Sequence, residues 1–166
     1  MIDKYLEITK KIATACGVFA AGSILLSIII VTELVFERYI FGNAITWQTE
    51  LVTMLLVAST FIGSAYVFAE NGHVNMDYFY TFLSKKGVII LRIFTSILCL
   101  IFFLILFYVS YEIVSEAFTK NYDTGTVWGP PLWIPYSSML IGAVLMTMAY
   151  IGELLKLFRS LGELNQ

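Results

Sequence analysis

The chain has 166 residues, 59% of them hydrophobic and only 13% charged, with a mean hydropathy of +0.84 and a formal net charge of −2. A polypeptide this apolar takes lipid as its solvent, and its near-neutral charge supplies no attraction to nucleic acid, so no nucleic-acid partner is expected. Cys16 and Cys99 lie inside apolar runs without CxxC spacing, which argues against a disulfide framework or a metal knuckle and leaves two small hydrophobes.

Four apolar runs are read directly, over residues 12–36, 48–69, 87–118 and 132–158. Each reaches the roughly 20 residues that a helix needs to cross a hydrocarbon core of about 30 Å. The predicted fold is therefore an all-α membrane protein with four transmembrane helices in a single domain over residues 1–166. Span one follows Lys10 and Lys11, and its apolar stretch comes after Cys16, the reverse of a cleaved signal, so it reads as a retained span. Ala13, Gly17 and Ala21 recur at intervals of four, a flat stripe that permits close approach of another helix, within this chain or in a second one. The joint "ERYIFGNAITWQTEL", residues 37–51, carries Tyr39, Phe41 and Trp47, which suit the headgroup region; it is expected to lie along or dip into the interface.

Span two opens at Glu50 and has Ser59 and Gly63 four apart. It leads to "FAENGHVNMDYFY", residues 68–80, which holds the chain's one histidine, His73, beside Gly72 and near Asp77. The bland reading is a turn between spans, followed by a short interfacial helix capped by Asn75 and ending at Lys85 and Lys86. Span three is too long for the bilayer at about 48 Å, so it must tilt or project. Pro130, Pro131 and Pro135 surround Trp133 where span four begins; a proline in a first turn costs little because that amide has no acceptor in the helix.

Eight of the ten basic residues, Lys4, Lys10, Lys11, Lys85, Lys86, Arg92, Lys156 and Arg159, fall at one end of the spans, and only Arg38 and Lys120 at the other. The positive-inside rule then places both termini and the His73 loop in the cytoplasm. The carboxylates Glu33, Glu37, Glu50, Glu112 and Glu116 gather near the outer end, where water reaches them. An Arg38–Glu50 ion pair across the joint between spans one and two is the expected structural role. Mid-depth is almost free of ionisable groups, so these helices alone offer no polar foothold for a solute. One histidine does not make a paired haem site, and HExxH, GxSxG and phosphate-loop motifs are missing, so no enzymatic activity, metal or cofactor is expected.

The ordered set of Arg38 after span one, Trp47 and Glu50 opening span two, Gly63 in mid-span, Gly72, His73 and Asp77 in the inner loop, and Ile134, Pro135 and Tyr136 opening span four resembles the DctQ-type small membrane subunit of tripartite ATP-independent periplasmic (TRAP) transporters. A proline often found midway along the family's last span is missing from "MLIGAVLMTM". The resemblance implies a multi-pass protein of the bacterial inner membrane, paired with a larger membrane subunit that holds the substrate and sodium sites. It also implies a periplasmic substrate-binding protein that delivers a carboxylate, of the C4-dicarboxylate or sialic acid class. Gly17, Gly63 or the long face of span three would contact the large subunit, and Arg38, Glu50 and the outer tryptophans, Trp133 among them, would hold the outer corner or dock the binding protein. Two other classes stay open on the residues alone: a stand-alone homo-oligomeric transporter or channel with Glu50 or Glu112 lining a pore, and an anchor for a redox enzyme.

Overall fold

The structure, a computed structural model, describes residues 2–42, 46–70 and 85–163. They form four helices, α1 (Ile2–Phe41), α2 (Trp47–Ala69), α3 (Lys85–Thr119) and α4 (Trp133–Glu163), each with a stretch long and apolar enough to cross a bilayer. In lipid a backbone has no water to bond to, so uninterrupted helices are the economical way to satisfy its polar groups. His73, Asp77 and the expected interfacial helix fall outside the described residues.

The helices outrun their apolar stretches. α1 starts well before residue 12, and its polar first turns are supported by a Glu7–Lys11 pair at 2.7 Å. Within the joint, Glu37 to Phe41 complete α1 and Trp47 to Leu51 open α2, so most of it is helix. α4 runs unbroken for 31 residues, as the missing mid-span proline allows, with Pro135 in its first turn.

The packing order is α1–α2–α4–α3. α2 lies between α1 and α4, and α4 between α2 and α3; α1 meets α4 through a smaller contact, and α3 has no substantial contact with α1 or α2. The result is a row of helices and not a closed bundle in which each helix has two neighbours. Two ends can be told apart: a loop end, with the α1–α2 and α3–α4 connections, and a terminal end, where α1 begins and α4 finishes.

Small residues set the spacing of the row. A Cβ on Gly17 would run into the Tyr66 ring, and one on Gly63 would lie 2.8 Å from Ala20 Cβ, so the two glycines face each other's helices in the α1–α2 seam. The stripe on α1 is not the four-residue repeat read from the sequence, since Ala21 is exposed; burial runs through Ala13, Ala20, Ser23, Ser27 and Ile30. That near-seven-residue rhythm keeps an α-helical face on a neighbour, whereas a strict interval of four drifts around the helix. At the α2–α4 seam Gly142 meets backbone: its Cβ would sit 2.5 Å from the Phe61 carbonyl oxygen.

Five buried hydroxyls of these seams are spent on their own helices. Ser23, Ser27, Ser59, Ser110 and Ser138 each donate to a carbonyl three or four residues earlier. They therefore act as small spacers between helices and offer nothing to a solute. Aromatic contacts fill the wider gaps: Tyr150 of α4 lies against Phe68 of α2 at 4.5 Å and Phe103 of α3 at 5.6 Å between ring centroids.

Substitution separates the two kinds of glycine. Gly142→Ala should destabilise the chain by about 1–3 kcal/mol, because the added carbon meets main chain that cannot rotate away. Gly22→Ala, with open space around it, should be neutral within about 0.5 kcal/mol. Thermal unfolding of the purified variants in detergent tests this, and equal losses at both positions would contradict the packing described.

Candidate functional site

At the loop end, the α3–α4 connection is built to a definite shape. α3 stops at Thr119, and Asn121 takes φ 50°, the left-handed conformation that ends helices and that asparagine tolerates. Tyr122 N–H donates to the Ala117 carbonyl at 3.0 Å, closing the turn. The chain then folds back on itself. Leu132 N–H donates to the Tyr122 carbonyl at 2.9 Å, Thr124 N–H to the Pro130 carbonyl at 3.3 Å, and Asp123 bridges Pro131. Gly125 N–H is held by Asp123 Oδ1 at 2.8 Å, and Gly129 N–H by Thr126 Oγ1 at 3.2 Å.

This folded loop reaches across to α2. Thr124 Oγ1 donates to Glu50 Oε2 at 3.1 Å, and Trp128 packs edge-on against Trp47 with ring centroids 6.3 Å apart. On the other side Trp133 meets Phe118 of α3 at 6.0 Å, also edge-on. One loop thereby ties the beginnings of α2 and α4 to the end of α3. Beside it, Glu116 accepts from Lys120 at 2.6 Å, and this hydrogen bond holds the Lys120 ammonium above its ordinary range.

The expected Arg38–Glu50 ion pair does not form. Arg38 is exposed in the last turn of α1, while Glu50 points to the α4 side of α2, where Thr53, Leu132 and Pro135 line the same hollow. The face of α2 that carries Val52, Ser59 and Gly63 belongs to the seam with α1, and Gln48 occupies the buried end of that stripe. Arg38 and Glu50 are thus directed away from each other by helical geometry.

Gln48 was not singled out by the sequence reading. It is 1% exposed, and its Oε1, like Glu37 Oε2, is buried without a hydrogen-bond partner. Its signal was its place four residues before Val52 on the seam stripe. Thr124 carried no signal, since its partner lies 74 residues away. Of the other expected contact residues, Trp47 and Trp133 are partly exposed at this end, Pro135 stands beside Glu50, and Gly17 and Gly63 are spent within the chain. Glu112 sits on the exposed side of α3 and accepts from Tyr108 at 2.7 Å.

The loop-end corner is an arrangement for holding helices at fixed distances. Among the described residues its side-chain hydrogen bond between distant elements ends on a carboxylate at the helix margin, and Ser59, Ser110 and Ser138 bond their own backbones. A family model for the DctQ component of tripartite ATP-independent periplasmic transporters matches residues 27–160, a range that contains the whole corner. No curated protein matches the chain.

A double-mutant cycle tests the corner. Thr124→Val and Glu50→Gln should each destabilise it, with a coupling between them of about 1 kcal/mol for a partly buried hydrogen bond to a charged acceptor. Arg38→Glu should couple to neither. A Glu50–Thr124 coupling indistinguishable from zero would show that the link does not hold the corner.

Proposed function

We propose, from the premise that this chain belongs to the DctQ component family of tripartite ATP-independent periplasmic transporters, that it is the fixed scaffold against which the large membrane subunit moves its cargo. A tripartite transporter implies two partners for a small membrane component, a large membrane subunit and a soluble substrate-binding protein. The proposed setting is the bacterial inner membrane, the proposed driving ion sodium, and the proposed cargo a carboxylate of the C4-dicarboxylate or sialic acid class. Substrate choice and ion coupling then reside in the other chains.

The observation that carries this reading is the state of α3. Among the described residues its substantial contact is with α4, along a stripe that includes Ser96, Phe103, Leu106, Ser110 and Ala117, and the side opposite that stripe is exposed and mostly apolar. Phe94, Leu98, Ile101, Ile105 and Tyr108 recur every three or four residues on the side opposite that stripe and are about half exposed or more. Their spacing makes a continuous ridge of the kind that packs into the groove of another helix. A row of helices with a free outer ridge widens a neighbouring subunit; it encloses no path of its own.

The small-residue stripe of α1, an alternative surface for the large subunit, is already occupied by α2. For the substrate-binding protein the proposed surface is the loop end, where Arg38, Tyr39, Val127 and Trp128 are exposed. Aromatic and arginine side chains at a protein surface are the types that most often anchor a partner.

Bulky apolar substitutions test the ridge without disturbing membrane insertion. Leu98→Trp combined with Ile105→Trp should lower co-purification of the co-expressed large subunit by about tenfold, equivalent to about 1.4 kcal/mol. Leu25→Trp with Ile29→Trp, on the exposed side of α1, should leave it unchanged. Loss with the α1 pair and not the α3 pair would assign the contact to the wrong face.

A further inference from the structure

At the terminal end α1, α2 and α4 enclose a cleft of about 260 Å³. Much of its lining is apolar, with Ala13 of α1, Ala65 and Phe68 of α2, and Leu145 and Met148 of α4. The nearby polar wall groups are already bonded. Tyr5 Oη donates to the Met148 carbonyl at 2.8 Å, and Thr9 Oγ1 to the Tyr5 carbonyl at 3.0 Å. The interior therefore has nothing to offer a polar solute and has shape and surface for a hydrocarbon chain.

The mouth differs in kind. Lys10 and Lys156 both line it, from helices that run in opposite directions. Side chains lean toward the N-terminus of their own helix. Lys10 on α1 consequently leans toward the terminal end, while Lys156 on α4 leans back toward the membrane, so the two side chains incline toward each other along the mouth. Glu7, also at the rim, is engaged by Lys11 at 2.7 Å, and Glu153 pairs more loosely with Lys156 at 3.5 Å, so among the described rim residues Lys10 is the lysine without a carboxylate partner. The rim is left with positive charge above an apolar interior.

Depth supplies the remaining constraint. From Lys156 to Leu145 the cleft follows α4 for about 16 Å at 1.5 Å per residue. That is close to half of a hydrocarbon core of about 30 Å, the thickness of one leaflet.

We propose that this cleft binds an anionic phospholipid, one acyl chain lying between α1, α2 and α4 and the phosphate held between Lys10 and Lys156. A free phosphate has no use for the apolar lining, and a neutral lipid has none for the lysines. The site is assigned from this chain alone and does not depend on the scaffold reading.

The test uses membranes containing the full chain and a photoactivatable phosphatidylglycerol. Crosslinks should map to peptides that carry residues 6–13 and 145–156, and unlabelled phosphatidylglycerol should compete where phosphatidylcholine does not. Lys10→Gln with Lys156→Gln should lower the labelling on the order of tenfold, from roughly 1 kcal/mol for each basic residue near the lipid surface. Lys4→Gln with Arg159→Gln, an equal loss of charge at the same end, should leave it intact. Equal competition by phosphatidylcholine, equal labelling of both double variants, or no crosslink in these peptides, as when protein fills the cleft, would each overturn the proposal.

Discussion

The close approach of α2 and α4 governs the rest of the molecule. At Gly142 one helix backbone lies against the Phe61 carbonyl of the other, a distance that even a methyl group would not permit. In lipid, where apolar side chains gain little by leaving their surroundings, such close contact is what replaces the hydrophobic drive of a soluble core. With that spacing established, Glu50 comes within reach of Thr124 at the loop end, and Tyr150 fits between Phe68 and Phe103 further along. α1 and α3 then attach on opposite sides of this central pair. The loop-end corner and the terminal-end cleft are both consequences of one short interhelical distance.

How polar groups are disposed follows from the same setting. A hydroxyl in a seam has no water to turn to, and serine is small enough to bond its own backbone while still letting the neighbouring helix approach. The seams are consequently tight, and Gln48 at the buried end of the α1–α2 stripe, whose Oε1 has no partner, departs from that pattern. Charges stay at the two ends, where Glu7, Lys11, Glu116 and Lys120 are paired within their own helices and remain largely exposed. Pairs of that sort contribute little to stability. Their arrangement sets the depth of the helices in the bilayer more than their mutual packing.

Much of this was legible in the sequence. Four spans, their order and the proline-led start of α4 follow from hydropathy and the missing proline amide. The resemblance built on Arg38, Trp47, Glu50, Gly63 and Pro135 agrees with the family match over residues 27–160. What could not be read were relations between distant residues. Glu50 was given Arg38 as a partner because the two are close in sequence; its partner Thr124 is brought in by the fold of another loop. Gly17 and Gly63 were recognised as contact residues, but nothing in their spacing says whether the partner helix is in the same chain. The extra turns of α1 were hidden because charged residues continue a helix beyond the apolar run that marks it.

The role proposed for these helices is to support another protein's movement without translocating solute themselves. Flux into proteoliposomes tests it most directly, comparing the purified chain alone with the same chain reconstituted alongside its large membrane subunit and substrate-binding protein, under an imposed sodium gradient. The account predicts no uptake of sialic acid or C4-dicarboxylate above empty liposomes for the chain alone, and sodium-driven accumulation only when the other two components are present. Accumulation by the single chain would contradict it.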